Sequence, residues 1–380
     1  MKPKIRISIF PDWLYSFIVG LGAMGFFGLL FWLNIWTDIQ DHLIGLQQIE
    51  AGRWIPPNFL YFLLVYLFSF GKTEVSVTGV TAIVLLGLAV GSKHWLSVSM
   101  WQKELGSHKN LLSLLGCGLI VSFSLPTPWS SYLGQVPPNI WHNSTLIFLM
   151  PAVLGLYYHT STFLRNPTAT NWGILIGLIF LNLIIKPSFL FAWLPTTLLF
   201  AYQGFNQQFW KMAAVISIGG LLILGQYFMV YQVNDHLTNP LYTESSQIAI
   251  KPFWLWNQVS ESLPISFLFS YAFPMAMIAL YPRLLGDKVI LYTLGLNITG
   301  LLLFVLVVEE GPRALHGNFA WQTIACNYLL FWALMGKWFK NFLKYKWQWK
   351  QLASGTFLAA HILSGIYYLL GILWHKTYLF

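Results

Sequence analysis

Eleven apolar runs, at 13–34, 75–98, 111–126, 144–160, 172–185, 188–202, 211–231, 264–282, 288–308, 320–337 and 352–374, leave little else in the chain than the short polar stretches that separate them. About 20 apolar residues in a helix cross the ~30 Å hydrocarbon core of a bilayer. Backbone groups in lipid must be satisfied within their own segment, so the helix is the form such runs take. With 57% hydrophobic and only 9% charged residues, no soluble globule could cover this surface. The expected fold is an all-α polytopic membrane protein. It has about eleven transmembrane helices, between ten and thirteen, in a single integral-membrane domain over 1–380 with no soluble domain. The first run has no small-residue cleavage site behind it and reads as a retained helix.

Two runs, 172–185 and 188–202, reach only about 21–23 Å at ~1.5 Å per residue, and Lys186-Pro187 breaks them apart. The stretch from Pro56-Pro57-Asn58 to Phe70 is also short, and its leading prolines suit a helix start, so it reads as a half-inserted helix. On that reading most of the 21 basic residues, Lys93, Lys103 and Lys109 among them, gather on the side of the N-terminus. The positive-inside bias makes that side cytoplasmic, and most of the 12 carboxylates fall on the other side. The formal charge of +9 is spread over loops between spans, which argues against nucleic-acid binding. Cys117 and Cys326 lie in apolar runs and imply neither a disulfide framework nor a zinc site.

Carboxylates are so scarce that a cluster of them is informative. In the loop after the first run, Trp36, Ile39, Leu43, Leu46 and Ile49 recur near helical spacing while Asp38, Asp41 and His42 take other faces. This is the pattern of a helix lying in the membrane interface. Asp38 or Asp41 could serve as general base toward an acceptor hydroxyl or amine, or the two acids with His42 could ligate a divalent cation such as Mg or Mn. The plainer reading is a solvated loop helix.

Lys186 is a lone cation between Ile185 and Pro187 in a long apolar stretch. Ionisable residues in such places default to functional hypotheses, and a phosphate would be its natural partner. Snorkelling to the surface is the alternative.

The loop Glu309 to Asn318 offers Arg313 for bidentate phosphate binding, with His316 and Asn318 beside it. A Glu309 or Glu310 pair with Arg313 is its structural alternative. Trp141, His142 and Asn143 combine aromatic faces with polar groups, as in sugar clefts and equally in interfacial aromatic belts. No P-loop, dinucleotide fingerprint, zinc-protease motif or nucleophile elbow is present.

The order of these parts resembles the C-type, integral-membrane glycosyltransferases that use polyprenyl-phosphate sugar donors. The resemblance rests on the acidic loop Asp38-Ile-Gln-Asp41-His42, on the proline-led short helix from Pro56, and on Gly173-Ile-Leu-Ile-Gly177 through Lys186-Pro187-Ser188-Phe189-Leu190 as paired half-helices with a lysine at their turn. It covers roughly residues 1–205 as a catalytic core; 206–380 match only as additional spans, and the soluble C-terminal domain of several family members is missing. The resemblance implies inverting sugar transfer from a polyprenyl-phosphate donor to a lipid or glycan acceptor, on the outer face of a bacterial plasma membrane. Asp38 or Asp41 would then be catalytic base, Lys186 and Arg313 would bind the donor phosphate, and His42, Trp141, His142, His316 and Asn318 would bind substrate. The rival classes are a transporter or flippase of a lipid-linked glycan and a non-catalytic membrane subunit.

Overall fold

A computed structural model of the chain describes residues 12–52, 56, 58–106, 108–129, 132–165, 167–204, 209–229, 247–311, 314–345 and 347–379. Among the described residues there are fourteen α-helices and two short strands. In chain order the helices are α1 (Asp12–Trp32), α2 (Asp38–Glu50), α3 (Leu60–Phe68), α4 (Val75–Leu105), α5 (Lys109–Val121), α6 (Ser144–Arg165) and α7 (Ala169–Ile185). They continue with α8 (Ser188–Gly204), α9 (Phe209–Phe228), α10 (Trp254–Val259), α11 (Leu263–Leu280), α12 (Lys288–Leu306), α13 (Trp321–Tyr345) and α14 (Trp349–His375).

Each of the eleven apolar runs contains a helix, although the one in the run 111–126 ends at Val121. Seven of them, α1, α4, α6, α9, α11, α12 and α14, are long and apolar enough to cross a membrane. The other four differ for physical reasons. α5, with 13 residues, and α7 and α8, with 17 each, are short. α13 has 25 residues but is enclosed by the rest of the bundle: every residue from 322 to 336 is buried. Enclosure lets it carry polar groups that lipid would penalise. Thr323 Oγ1 donates to the Gly300 carbonyl at 2.8 Å and Asn327 Nδ2 to the Val136 carbonyl at 2.7 Å.

A close seam joins α1 to α4. A Cβ on Gly91 would sit 2.8 Å from the Ser16 carbonyl oxygen, and one on Gly87 2.8 Å from that of Gly20. The Gly87-x-x-x-Gly91 spacing thus lets two backbones touch, a packing mode suited to helices in lipid.

Two findings correct the sequence reading. Val307 and Val308, assigned to the run 288–308, leave the helix and form strand β2 (Val307–Glu310), which pairs antiparallel with β1 (Gln247–Ile250). Paired β-branched residues favour extended backbone once a partner strand is available. The second correction concerns Lys93, counted among the cytoplasmic cations. It is buried within α4 at 7% exposure, because the loop carrying Asn139 folds back into the bundle and receives the ammonium at 2.6 Å.

Candidate functional site

The first expected interfacial helix is α2, and its start is fixed locally. Thr37 caps it, accepting from the Ile39 N–H at 3.3 Å, while Gln40 Oε1 accepts from the Thr37 N–H at 2.9 Å. This reciprocal capping box sets Asp38 and Asp41 in the first turn, where the helix dipole favours negative charge. Ile39, Leu43 and Leu46 face inward as expected, but Trp36 is exposed at 56% rather than part of that stripe.

The three polar residues of α2 then diverge. Asp41 is exposed and accepts from Trp36 Nε1 at 3.0 Å. His42 Nδ1 shares a 2.5 Å hydrogen bond with Ser144 Oγ, beside the rings of Tyr61 and Phe62. Asp38 is half-buried and accepts from Asn143 Nδ2 at 2.5 Å. Among the described residues no three histidine, cysteine or carboxylate side chains gather as a metal site.

Asn143 is oriented by its second task. It precedes α6, and its Oδ1 accepts from the Leu146 N–H at 2.9 Å and from Thr145 Oγ1 at 3.0 Å. That N-cap commits the oxygen and leaves the Nδ2 donor for Asp38. Thr145 Oγ1 in turn accepts from Lys186 Nζ at 3.1 Å. Lys186 stands in extended backbone between the end of α7 and Ser188, where α8 begins after Pro187. A continuous chain of donors and acceptors therefore runs from the Lys186 ammonium through Thr145 and Asn143 to the Asp38 carboxylate.

Aromatic groups from distant parts of the chain adjoin this chain of bonds. Lys186 Nζ lies 5.3 Å from the centre of the Trp321 ring, at the start of α13. The His142 ring stacks on Tyr378 at 4.2 Å and meets Trp321 edge-on at 6.2 Å. His316, in a short 3-10 turn, lies close enough to lower the proton affinity of Asp41.

Electrostatics follow from the enclosure. Burial pushes the Asp38 carboxyl up to about 6, against the opposing pull of Lys186 and the Asn143 hydrogen bond. Burial also raises Asp41, against Trp36 and His316. It lowers the Lys186 ammonium to about 8, with Asp38 pulling the other way. Burial, helped by the charge of Lys186, depresses His42 and His142 to about 3, so both imidazoles are neutral at neutral pH.

The structure thus brings Asp38, Asp41, His42, His142, Lys186 and His316 to one end of the bundle. It does not bring Trp141 to them by contact. That indole is buried against Phe26 and Phe27 of α1, at ring distances of 5.6 and 5.9 Å. Asn318 donates to the buried Glu309, and Glu310 pairs with Lys251 at 2.6 Å. Arg313 lies outside the described residues.

Sequence reasoning missed Thr145, Trp321 and Tyr378, and missed the capping role of Asn143. An asparagine directly before an apolar helical run is a readable N-cap signal. The other three join the site only through tertiary packing. No protein-family model, curated protein or solved structure matches the chain.

Chemically, the site offers a carboxylate whose proton affinity is raised toward neutral pH, as a general base would require. A lysine donor sits across a short polar bridge from it, with flat aromatic faces nearby.

Proposed function

We propose that the protein is an inverting glycosyltransferase that moves a sugar from a polyprenyl-phosphate donor to a lipid or glycan acceptor. The observation that carries this reading is the bonded chain from Lys186 to Asp38, which couples a poised carboxylate to a cation at the break between two short apolar helices. The base is assigned to Asp38 rather than Asp41. Asp38 is the more enclosed of the two, and its ionisation is felt directly by Lys186.

In this mechanism Asp38 takes the proton of an acceptor hydroxyl as the acceptor oxygen forms its bond to the anomeric carbon. The bond from that carbon to the donor phosphate oxygen breaks, and the polyprenyl phosphate departs with the electron pair. Lys186 supplies N–H donors and positive charge to the departing phosphate, an interaction that strengthens as charge develops. Arg313 takes the second phosphate contact that the family resemblance implies. His42 and His142, being neutral, orient hydroxyls by hydrogen bonding, and Trp321 offers a face for a sugar ring. His316 keeps the substrate-binding role implied by the resemblance, whereas Trp141, buried against Phe26 and Phe27, and Asn318, bonded to Glu309, take no part in it. A Mg or Mn ion would enter through Asp38 and Asp41, since His42 is turned to Ser144.

The accompanying topology has the N-terminus cytoplasmic and this end of the bundle on the outer face of a bacterial plasma membrane. The short helices α5, α7 and α8 and the enclosed α13 bring the spans to about eleven. A flippase is the second reading, favoured by the α7–α8 break, because discontinuous helices also build transport sites.

The test is Asp38→Asn in purified protein given a polyprenyl-phosphate sugar and a panel of lipid acceptors. Loss of labelled product by at least a hundredfold supports the assignment. Product formation equal to wild type refutes it. Donor lipid moved unchanged across a liposome bilayer, without any product, establishes the flippase instead.

A further inference from the structure

We infer that the bundle interior holds a halide-sized anion against Lys93, at a site separate from the one built on Asp38. Lys93 lies roughly 27 Å along α4 from Val75 and about 18 Å from Leu105 at ~1.5 Å per residue. It is buried, and among the described residues no carboxylate pairs with it. Its ammonium donates to Asn139 Oδ1 at 2.6 Å and stands 3.7 Å from the centre of the Tyr328 ring. Both partners are neutral, so a protonated Lys93 has no counter-ion among the described residues. Ionisable groups at such depth pair with something or mark a ligand path.

The surroundings specify the ligand. Asn139 offers a ligand no donor, because its Nδ2 donates to the Leu119 and Ser122 carbonyls at 2.7 and 2.8 Å. Trp141 Nε1 is buried with no acceptor. Lys93, Asn139 and Trp141 line one small cavity together with aliphatic residues that include Val90, Ile120, Leu146, Met150 and Ile324. The side-chain donors in its wall that can turn to a ligand are the Lys93 amino group and the Trp141 indole N–H.

A ligand for such a cavity accepts hydrogen bonds and is negative. Phosphate or sulfate would turn oxygens toward aliphatic wall that cannot satisfy them, at a desolvation cost. A monatomic anion leaves no acceptor behind. Chloride has the charge, the acceptor character and the size.

The experiment uses the full chain in lipid nanodiscs, with unfolding temperature followed as sodium chloride or bromide replaces sodium gluconate at constant ionic strength. A saturable rise of about 2 °C is expected at tenfold excess over the dissociation constant, with no rise in sulfate. Lys93→Met should abolish the rise, and Trp141→Phe should move its midpoint to several-fold higher halide. Equal unfolding temperatures in chloride and gluconate, or an unchanged halide response in Lys93→Met, overturn the inference. Should Lys93→Met not fold, bromide-soaked crystals of the wild-type chain decide. An anomalous peak within hydrogen-bonding distance of Lys93 Nζ supports the site, and its absence overturns it.

Discussion

Replacing Asp38 with asparagine should make the protein more stable at neutral pH while removing its proposed base. The proton affinity of Asp38 rises from 3.8 to about 6 on folding, chiefly through burial. Because the folded pKa exceeds the unfolded one, the carboxyl favours the folded state fully below about pH 4, and that advantage is lost as pH climbs toward 6. Above pH 6 the whole cost of holding a buried carboxylate is present. At 1.36 kcal/mol per pH unit it amounts to about 3 kcal/mol. Asparagine keeps the acceptor for Asn143 Nδ2; the lost attraction to Lys186 is already contained in the net shift, and the charge at the start of α2 is worth a further ~0.3–1 kcal/mol with the helix dipole.

The net gain is about 2 kcal/mol at pH 7, or an unfolding temperature higher by roughly 2–3 °C. The assay is thermal unfolding of both proteins in the same detergent from pH 4 to 8. His42 and His142 titrate in the unfolded chain over part of this range, so the quantity to read is the difference between the two curves. It should grow between about pH 4 and 6 and then level off. A variant less stable than wild type at pH 7, or a difference that does not change with pH, would refute the reasoning.

The same difference measured in a Lys186→Met background should have its midpoint above about 6, because the Lys186 charge holds the Asp38 carboxyl down; a midpoint at or below 6 would break the electrostatic link between them. Along the α1–α4 seam, Gly91→Leu should destabilise by about 1–3 kcal/mol through overpacking, seen as loss of monodisperse protein on size exclusion. Gly22→Leu, at a position where an added Cβ meets nothing within 4 Å, should leave the elution profile unchanged.

Much of the helical plan is legible because lipid imposes a strong and local demand on sequence. The break at Lys186-Pro187 falls where expected, between Ile185 and Ser188, since proline cannot continue the preceding helix. The α2 helix was legible from its apolar stripe, and Thr37 with Gln40 would have fixed its first residue. The burial of Lys93 was not legible. Hydropathy places a lysine near a span end at the surface, and only the return of the 127–143 loop into the bundle puts Asn139 beside it.

The β1–β2 pairing was hidden for a similar reason, since Val307-Val308 is as apolar as the helix before it. Within the site, periodicity assigned Asp38, Asp41 and His42 to faces of a helix. It could not say that Asn143, Ser144 and Trp36 would take one each, because helical spacing identifies a direction and not the partner found there.

The double engagement of Asn143 makes the beginning of α6 a gauge of the acid opposite. One end of its amide group holds the Leu146 N–H and the other holds Asp38. Protonating Asp38 takes away the charged acceptor that steadies the amide, and the first turn of α6 loosens with it. The hydrogen-exchange rate of the Leu146 amide, once corrected for intrinsic pH dependence, would then trace the charge state of Asp38 in the intact protein, with no substrate, label or turnover required.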